Sequence, residues 1–367
     1  MLVVDYVIKG GYGLRNFGDD ALMYFLVESI KGQDTDASIS LDCKKVDYIT
    51  KWLPDVCFSH PYHVPEKAYI YGGGTLYYSF PEKLKSKSFL EKVLLAITQP
   101  SLVLDKILVE SRRRTFENSN VKKVMFGLGF GPFHILDDQY QNAIFDAKNA
   151  DIVCVRDSKS YAFMAAQEVR AFHGTDICFA SDILRADLKN KSTFIKCIGV
   201  IVRDWNYGTS EDNYKDRLID ALGKVRQKGF KVKFIVFSDL RDSDWLNTLS
   251  QLQEAPLIWN PDISDINSFM SELAQFDLLI SSRFHGVIFS TLLSIPAISV
   301  AIEPKLELVK ENAVCKVWHP INDSDEALLT MIDDFNNDYL NVVSECQELV
   351  AEKSQLYCEM FNFAFKE

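Results

Sequence analysis

The stretch "FDLLISSRFHGVIFS" (276–290) sets an apolar run of strand length, a polar corner and a second apolar run side by side. Leucine and isoleucine without polar alternation mark a strand buried on both faces, as in a parallel sheet covered by helices. Arg283 and His285 stand where that strand should give way to a helix, and Gly286 follows at once. The corner is either a strand-to-helix turn that happens to be polar, or a place where an anion meets the free N–H groups of a helix start.

Working outward, the same alternation recurs along the chain. "DYVIKGG" leads into the helical "DDALMYFLVESIKG"; "KAYIYGGG" and "VKKVMFGLGFGP" each read as a strand ending in glycines; "ADIVCVRD" precedes the helical "SKSYAFMAAQEV". After about residue 190 the pattern restarts with "FIKCIGVIVRD", the helical "YKDRLIDALGKVRQKG", "KVKFIVFS" and "FDLLISS". At 367 residues the chain exceeds the usual size of one core. The expected fold is therefore α/β, with two Rossmann-like domains facing a cleft, residues 1–190 and 191–367. The polar "LRADLKNKST" (184–193) reads as the linker. The last helix is a candidate to pack back on the first domain.

A net charge of −11 argues against a general nucleic-acid binder, yet leaves room for an anion site built from two or three cations. The opening "MLVVDYVIKGG" reads as a first strand and not a signal peptide. No run approaches the ~18 apolar residues of a membrane span. The eight cysteines are scattered without a C-x-x-C pair, which suggests buried thiols in a reducing cytoplasm and no metal site. Residues 82–119 form an apolar insertion, split by Pro100 and ending in Arg112-Arg113-Arg114. It reads as two packed helices with a basic end, or as a surface touching anionic lipid at the inner face of the membrane.

In doubly wound folds ligands bind beyond the carboxyl ends of the strands. The glycine loops there match neither a Walker loop nor a dinucleotide fingerprint. "NFGDDAL" says more: Asn16 and Gly18 form a turn, and Asp19 and Asp20 open a helix. One aspartate is expected to cap the helix at the positive end of its dipole, leaving the other to face the cleft as a base or hydroxyl binder. At the corner, Ser282 and Arg283 suit a phosphate or carboxylate, and His285 can donate a proton. Lys305 follows the neighbouring strand "AISVAI", and Arg156 ends "ADIVCVRD" in the same way. Asn16, Gly73, Gly74 and His134 are candidates on the acceptor side. Asp176 and Asp182 read equally as caps or acceptor contacts; His60, His63, His173 and His319 read as structural or exposed.

"NFGDDAL", "YGGGTL", "GLGFGP", "VRDSKS" and "SSRFHGVIFSTLLSIPAISV" with "EPK" resemble the polysaccharide pyruvyl transferase family in order and spacing, over about residues 10–310. The resemblance implies a glycosyltransferase-B-like fold that needs no metal or cofactor. It also implies a reaction moving the enolpyruvyl unit of phosphoenolpyruvate onto a sugar as a pyruvate ketal. On this reading Arg156, Arg283, His285, Lys305 and Ser282 bind phosphoenolpyruvate, His285 is the acid, and Asp19 or Asp20 handles the attacking hydroxyl. The acceptor is expected to be a cell-envelope polysaccharide or its lipid-linked precursor. "GYGLRN" in the first loop and the insertion at 82–119 depart from the family pattern on that side. A nucleotide-sugar glycosyltransferase is the first alternative, with Glu303 or Glu307 available to hold a ribose. A non-catalytic envelope-assembly scaffold is the second.

Overall fold

The computed structural model describes residues 2–58, 63–79, 121–133, 137–186, 193–205 and 214–366. The insertion at 82–119, His60, His134 and residues 187–192 of the expected linker lie outside them.

The first sheet is parallel throughout and contains β1 (Leu2–Lys9), β2 (Ile39–Leu41), β3 (Cys57–Phe58), β4 (His63–Ser79), β5 (Lys122–Phe133), β6 (Ile152–Val155) and β7 (Phe172–His173). Its strand order is 3-2-1-4-5-6-7. With it go α1 (Phe17–Gln33), α2 (Asp47–Trp52), α3 (Asp138–Lys148) and α4 (Ser158–Ala166). The second sheet contains β8 (Cys197–Val202), β9 (Lys231–Val236), β10 (Leu257–Ile258), β11 (Leu278–Ser281), β12 (Ala297–Val300) and β13 (Cys315–Trp318), in the order 10-9-8-11-12-13. Its helices are α5 (Tyr214–Gln227), α6 (Ser243–Gln251), α7 (Ile266–Leu273), α8 (Phe284–Leu292), α9 (Lys305–Leu308) and α10 (Asp325–Asn337). Each sheet reverses its winding beside its first strand, between β1 and β4 and between β8 and β11. That reversal opens a crevice at the carboxyl edge.

Two local expectations are corrected. The glycines of "YGGG" and "GLGFG" do not end their strands: β4 continues to Ser79 and β5 to Phe133. Gly73, Gly74, Gly127 and Gly131 take φ of +72°, +74°, +63° and +81°, which lets the strands bulge and resume, and the β4–β5 register shifts at Thr75/Tyr77. The helix begun by "SKSYAFMAA" stops at Ala166, short of "QEV", where Glu168 turns left-handed at φ 58°.

The two sheets share an aromatic seam. Phe17, fully buried at the start of α1, lies 4.5–5.1 Å from the rings of Phe237, Trp259, Phe269 and Phe289 of the second half. Its N–H donates to Phe237 O at 3.0 Å. Burying such a ring contributes roughly 1.5–3 kcal/mol, so α1 is anchored to both halves at its first residue. The last helix, α11 (Tyr339–Phe365), starts in the core of the second half through Tyr339, Val342 and Val343. It ends against the first sheet, where Phe365 meets Phe126 at 5.2 Å and Tyr6 at 6.4 Å.

Candidate active site

Among the described residues, five cations at or just after strand ends reach one cavity of about 290 Å³. Arg156 follows β6, Arg203 follows β8, Arg241 lies in the loop after β9, Arg283 follows β11, and Lys305 opens α9 after β12. All five line the cavity, together with His285 in the first turn of α8. Asn16, Gly18, Asp19, Gly73, Gly74 and Gly131 form the facing wall. The sheet edges thus concentrate positive charge inside a chain that is acidic overall.

Each cation is held in place by a partner. Arg156 is 3% exposed; Nη1 donates to Asp176 Oδ2 at 2.9 Å and Nη2 to Thr75 Oγ1 at 3.0 Å. Its guanidinium lies 4.3 Å over the Phe284 ring, a cation–π contact from the other half. Gly129 makes room for it, since a Cβ there would stand 2.9 Å from Nε. Arg283 gives Nη2 to both oxygens of fully buried Asp242, at 2.5 and 2.6 Å, and Nε to Val202 O at 3.3 Å. Burial pulls Arg283 below the ordinary guanidinium value, and the Asp242 charge limits the fall. Glu303, itself buried, pairs with Arg203 and with Lys305, the latter at 3.0 Å. Crowding by protein pushes the Lys305 ammonium down to about 8, although 26% of its side chain faces the cavity.

His285 sits among Phe289, whose ring stacks at 6.0 Å, Gly18, and the buried carboxylate of Asp176, 3.8 Å from Nε2. Burial works to raise the Asp176 carboxyl, but His285 and the Arg156 charge outweigh it and hold it well below the usual range. Asp176 also accepts from Cys178 N at 3.1 Å, capping a short 3-10 turn. Of its two expected readings it takes the cap, and it reaches the site besides.

The two adjacent aspartates part company, because successive helix residues point about 100° apart. Asp19 faces the cavity; it accepts from Asn16 Nδ2 at 2.6 Å and lies 3.7 Å from Arg241. Asp20 turns away and is fully buried, accepting from Tyr48 OH at 2.9 Å and from Trp259 Nε1 at 3.1 Å across the seam. Asp20 is therefore a link between the halves and not a base at the cavity. Neither aspartate caps α1, whose N-cap is Asn16 without a side-chain bond.

Ser282 is likewise removed from the wall: it is fully buried, its N–H donates to Ile201 O at 2.9 Å, and the cavity does not reach it. Ser281 shapes the corner instead, its hydroxyl donating to Arg283 O at 2.8 Å. The bulky "GYGLRN" loop is also explained. Arg15 reaches across the seam to Asp239 at 3.3 Å, Asp262 at 2.7 Å and Asn260 at 3.1 Å, while the Tyr12 hydroxyl donates to Gly72 O. His63 bonds Ser40, His173 stacks on Tyr161 and His319 lies near Glu307, all away from the cavity. Asp182 borders a separate cavity between α1 and α11.

The profile of the polysaccharide pyruvyl transferase family matches residues 16–304, from the Asn16 turn to the residue before Lys305. The chain belongs to the polysaccharide pyruvyl transferase family. The family is one of transferases, and its match spans the α1 start, the "VRD" strand end and the Arg283–His285 corner. A search of curated proteins finds no match. Among solved structures, UDP-GlcNAc 2-epimerase from Neisseria meningitidis bound to UDP-GlcNAc superposes with a TM-score of 0.55 at 8% identity, covering 98% of this chain and 99% of that one. Anabaena Alr3699/HepE in complex with UDP and glucose gives 0.51 at 13% identity, with 97% of each chain covered. UDP-GlcNAc 2-epimerase from Methanocaldococcus jannaschii gives 0.54 at 8%, covering 90% and 92%. These likenesses establish the glycosyltransferase-B-like fold. Within this pyruvyl transferase family member, Arg203 and Arg241 are cavity residues that motif reading passed over. Arg203 carries the signal that identified Arg156: "VIVRD" at the end of β8 parallels "VCVRD" at the end of β6.

Proposed function

We propose that the protein transfers the enolpyruvyl unit of phosphoenolpyruvate to two hydroxyls of one sugar in a cell-envelope polysaccharide or its lipid-linked precursor, closing a pyruvate ketal. The convergence of Arg156, Arg203, Arg241, Arg283 and Lys305 on a single cavity with His285 carries the reading. Phosphoenolpyruvate brings a phosphate and a carboxylate close together, and several fixed cations at short range suit that charge.

The chemistry follows from the residue types. His285, protonated, gives a proton to the methylene carbon, and positive character develops at the central carbon. A sugar hydroxyl attacks there and passes its proton to Asp19. A second hydroxyl of the same sugar then displaces the phosphate and closes the ring, its proton leaving on the phosphate. The arginines and Lys305 hold the donor and stabilise the departing phosphate. None of these steps calls on a metal or a further cofactor.

The test is release of inorganic phosphate from phosphoenolpyruvate, made dependent on added envelope glycan or lipid-linked precursor, with the acceptor followed by mass spectrometry. The reading expects acceptor-dependent phosphate release, a pyruvate ketal on the acceptor, and loss of both in His285→Gln. Consumption of a UDP-sugar in its place, with phosphoenolpyruvate untouched, overturns it.

A further inference from the structure

Asp176 is a buried group that the reaction scheme above leaves unused, and it touches residues of both halves. Its carboxylate is fully buried, accepts from Arg156 Nη1 at 2.9 Å and from Cys178 N at 3.1 Å, and lies 3.8 Å from His285 Nε2, within ion-pair range of a protonated ring but beyond a hydrogen bond. Arg156 and Asp176 belong to the first half and His285 to the second, so one carboxylate aligns site residues contributed by both. His285 Nε2 is itself buried and has no hydrogen-bond partner among the described residues, while the residue as a whole lines the cavity. The other charged groups on the cavity wall that this imidazole shares are Arg156, Arg203, Arg241, Arg283, Lys305 and Asp19. Gly18, Phe284 and Phe289 fill the remaining contacts and carry no charge.

We infer that Asp176 is a positioning residue for His285: it keeps a proton on Nε2, so that Nδ1 is the nitrogen that exchanges a proton with the substrate. A carboxylate facing one ring nitrogen favours a proton on that nitrogen, which leaves the other as the exchanging one. In the transfer step the Nδ1–H bond breaks as a C–H bond forms at the donor's methylene carbon. The imidazole is left neutral with its remaining proton on Nε2, and Asp176 stays ionised throughout. The same carboxylate orients the Arg156 fork, so its loss should weaken donor binding as well as turnover. The role in proton transfer rests on the pyruvyl-transfer reading, whereas the tautomer assignment does not.

The experiment is long-range ¹H–¹⁵N correlation spectroscopy on the full chain with labelled histidine and no substrate, with His285→Asn to assign the signal. The expected result for neutral His285 is a proton on Nε2. A proton on Nδ1 in the wild-type protein overturns the inference without any further variant. Asp176→Ala should lose the Nε2–H preference and reduce kcat by about 10²-fold or more, the range of a lost acid–base contribution. Asp176→Glu should restore both in part. A folded Asp176→Ala variant that keeps the wild-type tautomer and turnover also overturns the inference. If the tautomer behaves as expected while phosphoenolpyruvate is never consumed, the positioning role stands and the donor assignment falls.

Discussion

Replacing Gly18 by alanine separates two effects of opposite sign. Gly18 lies in the first turn of α1, where alanine would ordinarily add about 0.5–1 kcal/mol of stability through backbone entropy and helix propensity. A Cβ at this position, however, would stand 2.6 Å from His285 Nδ1, 3.1 Å from Cγ and 3.2 Å from Cβ. Ordinary contact begins near 3.4 Å, so the imidazole must retreat. Phe289 stacks against the ring and Asp176 stands beside Nε2, which leaves it little room. Overpacking of this kind costs about 1–3 kcal/mol, which exceeds the propensity gain, so the net change is a loss of up to about 2.5 kcal/mol. The functional cost is larger, because displacing a reacting group by about 1 Å lowers turnover on the order of 10²-fold. Gly32→Ala is the internal control: it lies in the same helix, and nothing stands within 4 Å of its Cβ. Chemical denaturation and steady-state kinetics on both variants read the outcome. Gly18→Ala with wild-type kcat refutes the placement of His285 against α1.

Three further outcomes follow from the charges. Burial pushes the Asp20 carboxyl up to about 7 against the hydrogen bonds from Trp259 and Tyr48. Its contribution to stability is therefore complete below about pH 4 and is lost as the pH rises through about 7, up to about 4 kcal/mol in all. Asp20→Asn should flatten that fall in guanidinium titrations at pH 5 and pH 8, and an unchanged difference between the two would count against it. Arg283→Met leaves Asp242 buried without its charge partner and should destabilise by about 3–5 kcal/mol. Adding Asp242→Leu should recover much of that loss without recovering activity, and urea melts of the single and double variants decide the matter. Lys305, with its ammonium pushed down to about 8, carries its charge below that pH and loses it above. Affinity for phosphoenolpyruvate should therefore weaken between pH 7 and pH 9, and Lys305→Arg should remove the fall. A flat wild-type profile contradicts this account of Lys305.

The fold was legible because its signals are local. Runs such as "FDLLI" and "CIGVIV" are buried on both faces and declare parallel strands, and their spacing to the next helical segment declares the crossovers. Arg156, Arg283, His285 and Lys305 could be found since topology alone brings strand-end residues to one edge. What the sequence could not reveal is direction around a helix and partnership across the seam. Asp19 and Asp20 differ by one position, yet only Asp19 meets the cavity, because Trp259 from the other half claims Asp20. Ser282 is a neighbour of Arg283 in the chain, yet it is fully buried and the cavity does not reach it. The roles of Asp242 and Asp176 depend on guanidinium groups 41 and 20 residues distant, and no local pattern couples them. Glycines read as strand ends proved to be bulges, since left-handed φ permits a turn or a continued strand alike.

The central claim is that the cavity between the halves takes phosphoenolpyruvate. Thermal-shift titration with phosphoenolpyruvate, UDP-sugars and NAD tests it directly, on the native protein and on Lys305→Gln. A ligand at about one hundred times its dissociation constant stabilises the folded form by about 2.7 kcal/mol. The account predicts that phosphoenolpyruvate alone raises the melting temperature of the native protein, and that Lys305→Gln loses most of that response. Stabilisation by a UDP-sugar, with no response to phosphoenolpyruvate, would contradict it.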